Sequence, residues 1–306
     1  MPKLGVKSKL AIGGIVLIML VVIGRLFFPV SRPALELSAN YSDPFYKLGP
    51  IYITNTLITS WLSIIVLIVL FYFGTRKMKL VPKGLQNFVE TIIEILLNFV
   101  EGVAGKENGR RFFPIVATIF LYVLFNAWLA LLPVFNFIGI NQLQADGTTI
   151  YVPLLRAANT DINVPLMLAL VSFFSVEYWG ITSLGLRYYL GKFFKFGQLL
   201  QGLGLLIKGK VKSAVGSILF GAIDAFVGAL ELLSEFVRII SFTFRLFGNM
   251  MGGEVLLLTI PFLIPWVFSS IFYGLETFLG LIQAVIFGVL TLVFATIAIS
   301  KPEAEH

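Results

Sequence analysis

Apolar residues in this chain come in long blocks, with the polar ones gathered into the shorter stretches between them. A block of roughly 20 apolar residues is what a helix needs to cross the hydrocarbon layer of a bilayer. Six segments meet that requirement: residues 10 to 28, about 52 to 74, about 112 to 135, about 163 to 184, about 215 to 260 and about 262 to 300. The last two are too long for perpendicular spans, so tilt, a break or an interfacial stretch is expected in each. The segment "LQNFVETIIEILLNFVEGVAG", between the second and third blocks, follows a different pattern. Glu90, Glu94 and Glu101 share one helical face, with Phe88, Ile92, Leu96 and Phe99 on others. That predicts an amphipathic helix lying along the membrane surface. Residues 191 to 213 are Gly-rich, basic and apolar together, and are expected to rest on the interface as well.

The predicted fold class is therefore all-α. It is a polytopic membrane protein of about six transmembrane helices, with long tilted helices in the C-terminal third and an amphipathic surface helix. Composition agrees: 58% of residues are hydrophobic and 13% are charged, the latter about half the share of a soluble domain. Residues 1–50 read as an N-terminal anchor helix and external segment, and 51–306 as a single membrane-embedded domain. Lys3, Lys7 and Lys9 before the first block also fit a signal peptide. No small-x-small cleavage site follows convincingly, so the block reads as a retained anchor.

The net charge of +7 belongs to the loops rather than to a nucleic-acid surface. Arg76, Lys77, Lys79, Lys83, Lys106, Arg110 and Arg111 surround the second-to-third connection. Arg187, Lys192, Lys195, Lys208, Lys210 and Lys212 fill the fourth-to-fifth. The opposite side holds Arg25, Arg32, Lys47 and Arg156, diluted by Glu36, Asp43, Asp146 and Asp161. Cytoplasmic loops collect Lys and Arg, so both termini are expected in the cytoplasm. Cysteine is absent and His306 is the only histidine. That excludes disulfides, thiol catalysis and sites built on imidazole; no cofactor is expected.

Charges inside spans are costly and mark functional sites. Here they concentrate in the last third: Asp224, Glu231, Glu235, Arg238, Arg245, Glu254 and Glu276, with Asn249 and Gln283; Glu177 is the outlier in the fourth span. At about 100° per residue, Arg238, Ser241, Arg245, Asn249 and Gly252 share one helical face, and Glu254 turns to the side opposite Arg245. Glu276, Gly280 and Gln283 form one stripe in the sixth block. Two uses of Arg245 are open. It can be a structural partner of Glu231, Glu235 or Glu276, or a fixed cation beside an ion path, where it holds a passing carboxyl ionised and blocks a leak. Arg238 can snorkel to headgroups, Asn249 can cap or glue helices, and Asp224 fits an interfacial position.

The stretch "RLFGNMMGGE" is similar to the arginine motif of subunit a of F-type rotary ATP synthases, through Arg245, Leu246, Phe247, Gly248, Asn249 and Met250, with Glu254 at the acid position. Glu231, Ser241, Gln283, "LALLPVF" and "TDINVPLMLAL" resemble further family positions, and the likeness covers about residues 50 to 300. Two departures stand out. Glu254 and Glu276 are both acids where many bacterial members pair an acid with a histidine, and Ala130 replaces an aspartate common before Leu-Leu-Pro.

The resemblance implies a stator subunit with two offset half-channels beside a ring of c subunits, held by peripheral-stalk b subunits in the bacterial cytoplasmic membrane. Arg245 would be the electrostatic gate. Asn249, Glu254, Glu276 and Gln283 would serve the outer half-channel, and Glu231, with Glu235 or Arg238, the cytoplasmic side. ATP chemistry lies elsewhere, because the chain has no Gly-rich phosphate loop followed by Lys-Ser or Lys-Thr. The alternative is a free-standing proton- or sodium-coupled transporter, for which the sequence offers no matching second half.

Overall fold

The computed structural model describes residues 16, 19, 47–48, 51–52, 54–132, 139–143, 149–153, 155–195, 197–207, 211–263 and 267–300. Among them the order is β1 (Lys47–Leu48), β2 (Ile51–Tyr52), α1 (Asn55–Thr75), α2 (Leu85–Ala104), α3 (Lys106–Ala130), β3 (Gly139–Leu143), β4 (Thr149–Pro153), a 3-10 turn (Ala158–Thr160), α4 (Asn163–Leu184), α5 (Leu186–Phe193), α6 (Gly197–Ile207), α7 (Val211–Leu263) and α8 (Val267–Ile299). Helix dominates, as the apolar blocks predict. The strands form two small antiparallel hairpins in the connections, β1 with β2 and β3 with β4, where a chain between spans meets its own backbone hydrogen-bonding groups.

Among the described residues, five helices are long and apolar enough to cross a membrane: Asn55–Thr75, Lys106–Ala130, Asn163–Leu184, Ser213–Pro261 and Ser269–Ile299. The expected span at 10 to 28 lies outside the described residues, apart from helical Val16 and Met19. α4 has the predicted bounds. α3 starts earlier than its apolar block, because Gly105 (φ 79°) turns the chain sharply after α2 and the charged first turns of α3 have a partner there. Arg110 Nε donates to Glu101 of α2 at 2.9 Å. The long fifth segment is one unbroken helix of 53 residues. At ~1.5 Å per residue its residues run for roughly 80 Å, well beyond about 30 Å of hydrocarbon, the excess length behind the expected tilt or interfacial stretch.

The chain forms two compact units. The first comprises Met1–Val66, Val123–Asp161 and Phe247–Gln283, and the second Leu67–Tyr122, Ile162–Leu246 and Ala284–His306.

In the first unit, α1 starts on Thr54, whose Oγ1 accepts from the Leu57 N–H at 2.9 Å, a side-chain N-cap. Its Thr56, Thr59, Ser60 and Ser63 are buried, and their hydroxyls need partners there. Ser63 donates to Asn126 Oδ1 at 2.8 Å and Thr56 to Asp161 at 3.0 Å. Gly280 of α8 sits so close to α3 that a Cβ there would come within 2.8 Å of the Ala127 methyl. Small residues let membrane helices approach in this way.

The core of the second unit is built on Val100, Phe112, Val116, Val176, Trp179 and Leu292, with the Phe112 and Trp179 rings 4.5 Å apart between centroids. Gly185 (φ 84°) makes the turn from α4 into α5, a backbone angle that favours glycine. The turn folds Tyr189 onto Gly180, where a Cβ would overlap its ring. On α2, Phe88, Ile95, Phe99 and Val103 are exposed apolar side chains, and α2 is not among the five candidate spans.

Candidate functional site

In the first unit, α7 and α8 bring together the predicted residues Asn249, Glu254, Glu276 and Gln283. Asn249 Nδ2 donates to Gln283 Oε1 at 2.7 Å. Gln283 is 1% exposed and its Nε2 has no hydrogen-bond partner among the described residues. Glu276 is buried, and its Oε2 likewise lacks a partner. The Glu276 carboxyl lies against Gly253 so closely that a Cβ on Gly253 would overlap it. That glycine is therefore needed as a seat for the carboxyl.

Glu254 has a partner that sequence reasoning missed. Arg156, in the segment before α4, donates from Nε to Glu254 Oε1 at 3.0 Å and to Oε2 at 3.2 Å, and from Nη2 to Oε2 at 3.2 Å. Arg156 is 8% exposed, whereas the sequence places it among loop charges. The available signal was a lone cation in an otherwise acidic connection. Arg156, Glu254, Glu276 and Tyr273 line a cavity of about 60 Å³, closed by Ala127 and Leu131 from α3 and its C-terminal end.

In the second unit, the carboxylates Glu231 and Glu235 each have a cation, and neither cation is Arg245. Lys195 Nζ donates to Glu231 Oε1 at 3.0 Å and Arg238 Nη2 to Glu235 Oε1 at 2.7 Å. The Arg238 guanidinium also lies 3.9 Å from the centroid of the Phe294 ring, a cation–π contact. It is thus held in the protein interior instead of snorkelling. Arg245 is half-buried, with Nη2 3.4 Å from Ser241 Oγ and its guanidinium 5.8 Å from the Phe242 centroid. Among the described residues it is in no ion pair. The structural-partner use of Arg245 with Glu231 or Glu235 is not what the fold selects.

Four buried polar atoms of this unit lack partners among the described residues: Glu177 Oε1, Glu231 Oε2, Glu235 Oε2 and Arg238 Nη1. Tyr189, buried on α5, has its hydroxyl pushed above its usual range, first by burial and then by the charge of Glu177. It joins Glu177 of α4 to the α7 charges. Asp224 is half-buried and takes part in no ion pair among the described residues. A second cavity, of about 640 Å³, is lined by Arg187, Lys192, Lys195, Tyr189 and Glu231 together with Ile297 and Ala298 from the end of α8.

Among the described residues, five membrane-length helices that carry carboxyls, amides and fixed cations in apolar stretches define a polytopic membrane protein with charge inside its spans. The family profile described as "ATP synthase A chain" matches residues 57–296. The chain is 30% identical over 251 residues to ATP synthase subunit a of Helicobacter acinonychis (strain Sheeba), covering 81% of this chain and 92% of that one. It is 31% identical over 242 residues to the subunit a of Helicobacter hepaticus (79% and 88%), and 26% identical over 249 residues to that of Moorella thermoacetica (81% and 92%). The chain belongs to the ATP synthase A chain family. It is a multi-pass membrane protein and, as a member of that family, a proton-transporting part of the ATP synthase.

Proposed function

We propose that this chain is the stator subunit that conducts protons through two offset half-channels to and from the carboxyls of a rotating ring of c subunits, with b subunits as its peripheral stalk. Arg245 carries the reading. A guanidinium does not lose its proton in proteins, and this one is in no ion pair among the described residues. Gly248 and Gly252, one and two turns further along α7, have open space where a Cβ would sit, which suits close approach by another helix. Such a cation discharges a carboxyl that comes alongside and cannot itself hand a proton across.

In this scheme Asn249, Glu254, Glu276 and Gln283 organise the outer half-channel. Glu231, with Glu235 or Arg238, serves the cytoplasmic side, and Ser241, Glu177 and Asp224 are secondary positions. Residues 1–50 act as anchor and external segment and 51–306 as one membrane domain, with both termini in the cytoplasm of a bacterial cell. Proton motive force supplies about 2.3 kcal/mol per charge per 100 mV.

The test is Arg245→Ala in inverted membrane vesicles. ATP-driven proton pumping should fall to background while the subunit still inserts and still co-purifies with c and b subunits. Normal pumping would remove the gate, and purification of an active chain free of both partners would favour a transporter.

A further inference from the structure

The proposed function draws on α7 and α8 and leaves Arg156 without a task. Leaving a buried cation idle is expensive, and this one is fully engaged on one side: its Nε and Nη2 donate to both oxygens of Glu254 at 3.0 to 3.2 Å, and Nη2 lies 3.6 Å from Met251 Sδ. We propose that Arg156 is a positioning residue that occupies Glu254, so that Glu276 is the carboxyl that takes up and releases the proton on the outer side. The proposal rests on the proton-conducting reading and assigns the traffic within its outer half-channel.

The two acids of the cavity are unequal in geometry. A proton added to Glu254 neutralises the carboxylate and weakens its charge-assisted bonds to the guanidinium, the stronger class of hydrogen bond. Glu276 offers a buried oxygen with no partner among the described residues, in a notch that exists because residue 253 has no side chain. Both line the cavity of about 60 Å³, enough for a few waters to reach an oxygen.

Among the described residues, the charged and titratable groups facing this cavity are Arg156 from the segment before α4, Glu254 from α7, and Tyr273 and Glu276 from α8. Its α3 wall is apolar. Arg156 is paired with Glu254, which leaves Glu276 as the carboxyl of this cavity that is in no ion pair among the described residues. The step conserves protons. A hydrated proton from outside forms an O–H bond on the Glu276 carboxylate. That bond then breaks as the proton passes inward to a rotor carboxylate, and Glu276 returns to its starting state.

The experiment uses the complete synthase in membrane vesicles, with subunit content checked for each variant and ATP-driven pumping and ATP synthesis both measured. Arg156→Gln alone should lower both at least about tenfold, because it leaves Glu254 without its cation, and Arg156→Lys should restore part of the loss. The double variant Arg156→Gln/Glu254→Gln should recover at least about threefold over Arg156→Gln alone, whereas Glu276→Gln stays at background in either setting. The dependence of synthesis on outer-side pH should keep its midpoint in the double variant and move with Glu276→Asp, a result that a merely structural Arg156 would not produce.

An assembled double variant as inactive as Glu276→Gln would overturn the proposal, and so would an unaffected Arg156→Gln. If the double variant does not assemble, Arg156→Lys decides: an unchanged pH midpoint supports the assignment and a shifted one overturns it. Parental vesicles that pump no protons would instead sink the functional reading itself.

Discussion

Asn249 hands a hydrogen bond to Gln283 across 2.7 Å, joining an exposed amide on α7 to one that is 1% exposed on α8. The pair places a polar connection in apolar surroundings, where each unmade hydrogen bond costs about 1–3 kcal/mol. Gln283→Leu should therefore leave insertion intact, since it removes a buried amide along with its demand. It should nonetheless reduce proton pumping at least about tenfold. ATP-driven pumping compared with membrane content of the subunit checks this, and equal pumping by Gln283→Leu would confine the pair to helix gluing.

Gly253 and Gly252 are neighbours with opposite requirements. A methyl on Gly253 collides with the Glu276 carboxyl, whereas one on Gly252 meets nothing within 4 Å. Gly253→Ala should destabilise the subunit by about 1–3 kcal/mol through overpacking and impair pumping with it. Gly252→Ala should change folding stability little in the isolated chain. Thermal unfolding in detergent, run on both variants, distinguishes them.

Arg238 holds Glu235 with both side chains nearly buried, at 14% and 13% exposure. Removing one partner of such a pair costs about 3–5 kcal/mol. Arg238→Ala should thus lower subunit abundance in the membrane, unlike Arg245→Ala, whose side chain leaves no carboxylate behind among the described residues. Quantitative immunoblots of membranes carrying each variant provide the comparison.

Tyr189 should make the protein sensitive to alkali. Its folded-state affinity for the proton is raised above that of an unfolded tyrosine, which titrates near 10. The folded state then binds more protons than the unfolded one at high pH. The contribution is fully present below pH ~10 and is lost as pH rises beyond it. Tyr189→Phe should flatten that part of the decline in helix content measured by circular dichroism between about pH 9 and 12; an unchanged profile would assign it to other groups.

Glu276→Gln should weaken pumping more than Glu177→Gln. Both carboxyls have a buried oxygen without a partner among the described residues, but Glu276 lines the cavity of the first unit, whereas Glu177 faces Tyr189. The reverse order in vesicle assays would move the main proton step to Glu177.

Much of this was legible along the chain. α4 runs Asn163–Leu184 as its apolar block predicts, and α2 covers the amphipathic stretch from Leu85 to Ala104. The stripe through Glu276 and Gln283 meets Asn249 by way of Gln283 and the cavity by way of Glu276. The partner choices were not legible. Arg156 reads as an ordinary loop cation, yet it is buried on Glu254 from 98 positions away. Arg238 reads as able to snorkel, yet it lies over Phe294. Lys195, in a segment expected only to rest on the interface, takes Glu231.

By itself, then, the amino-acid order determined the helices, their membrane character and which charges sit in apolar company, because hydropathy and helical period are properties of neighbouring residues. Only the tertiary structure decided that Glu254 is occupied by Arg156, that Glu276 keeps an open oxygen, and that Arg245 is paired with no carboxylate among the described residues. Those outcomes depend on which distant segments close around each charge. A buried ion settles on whichever opposite charge the packed backbone brings within about 3 Å, and no local pattern encodes that distance.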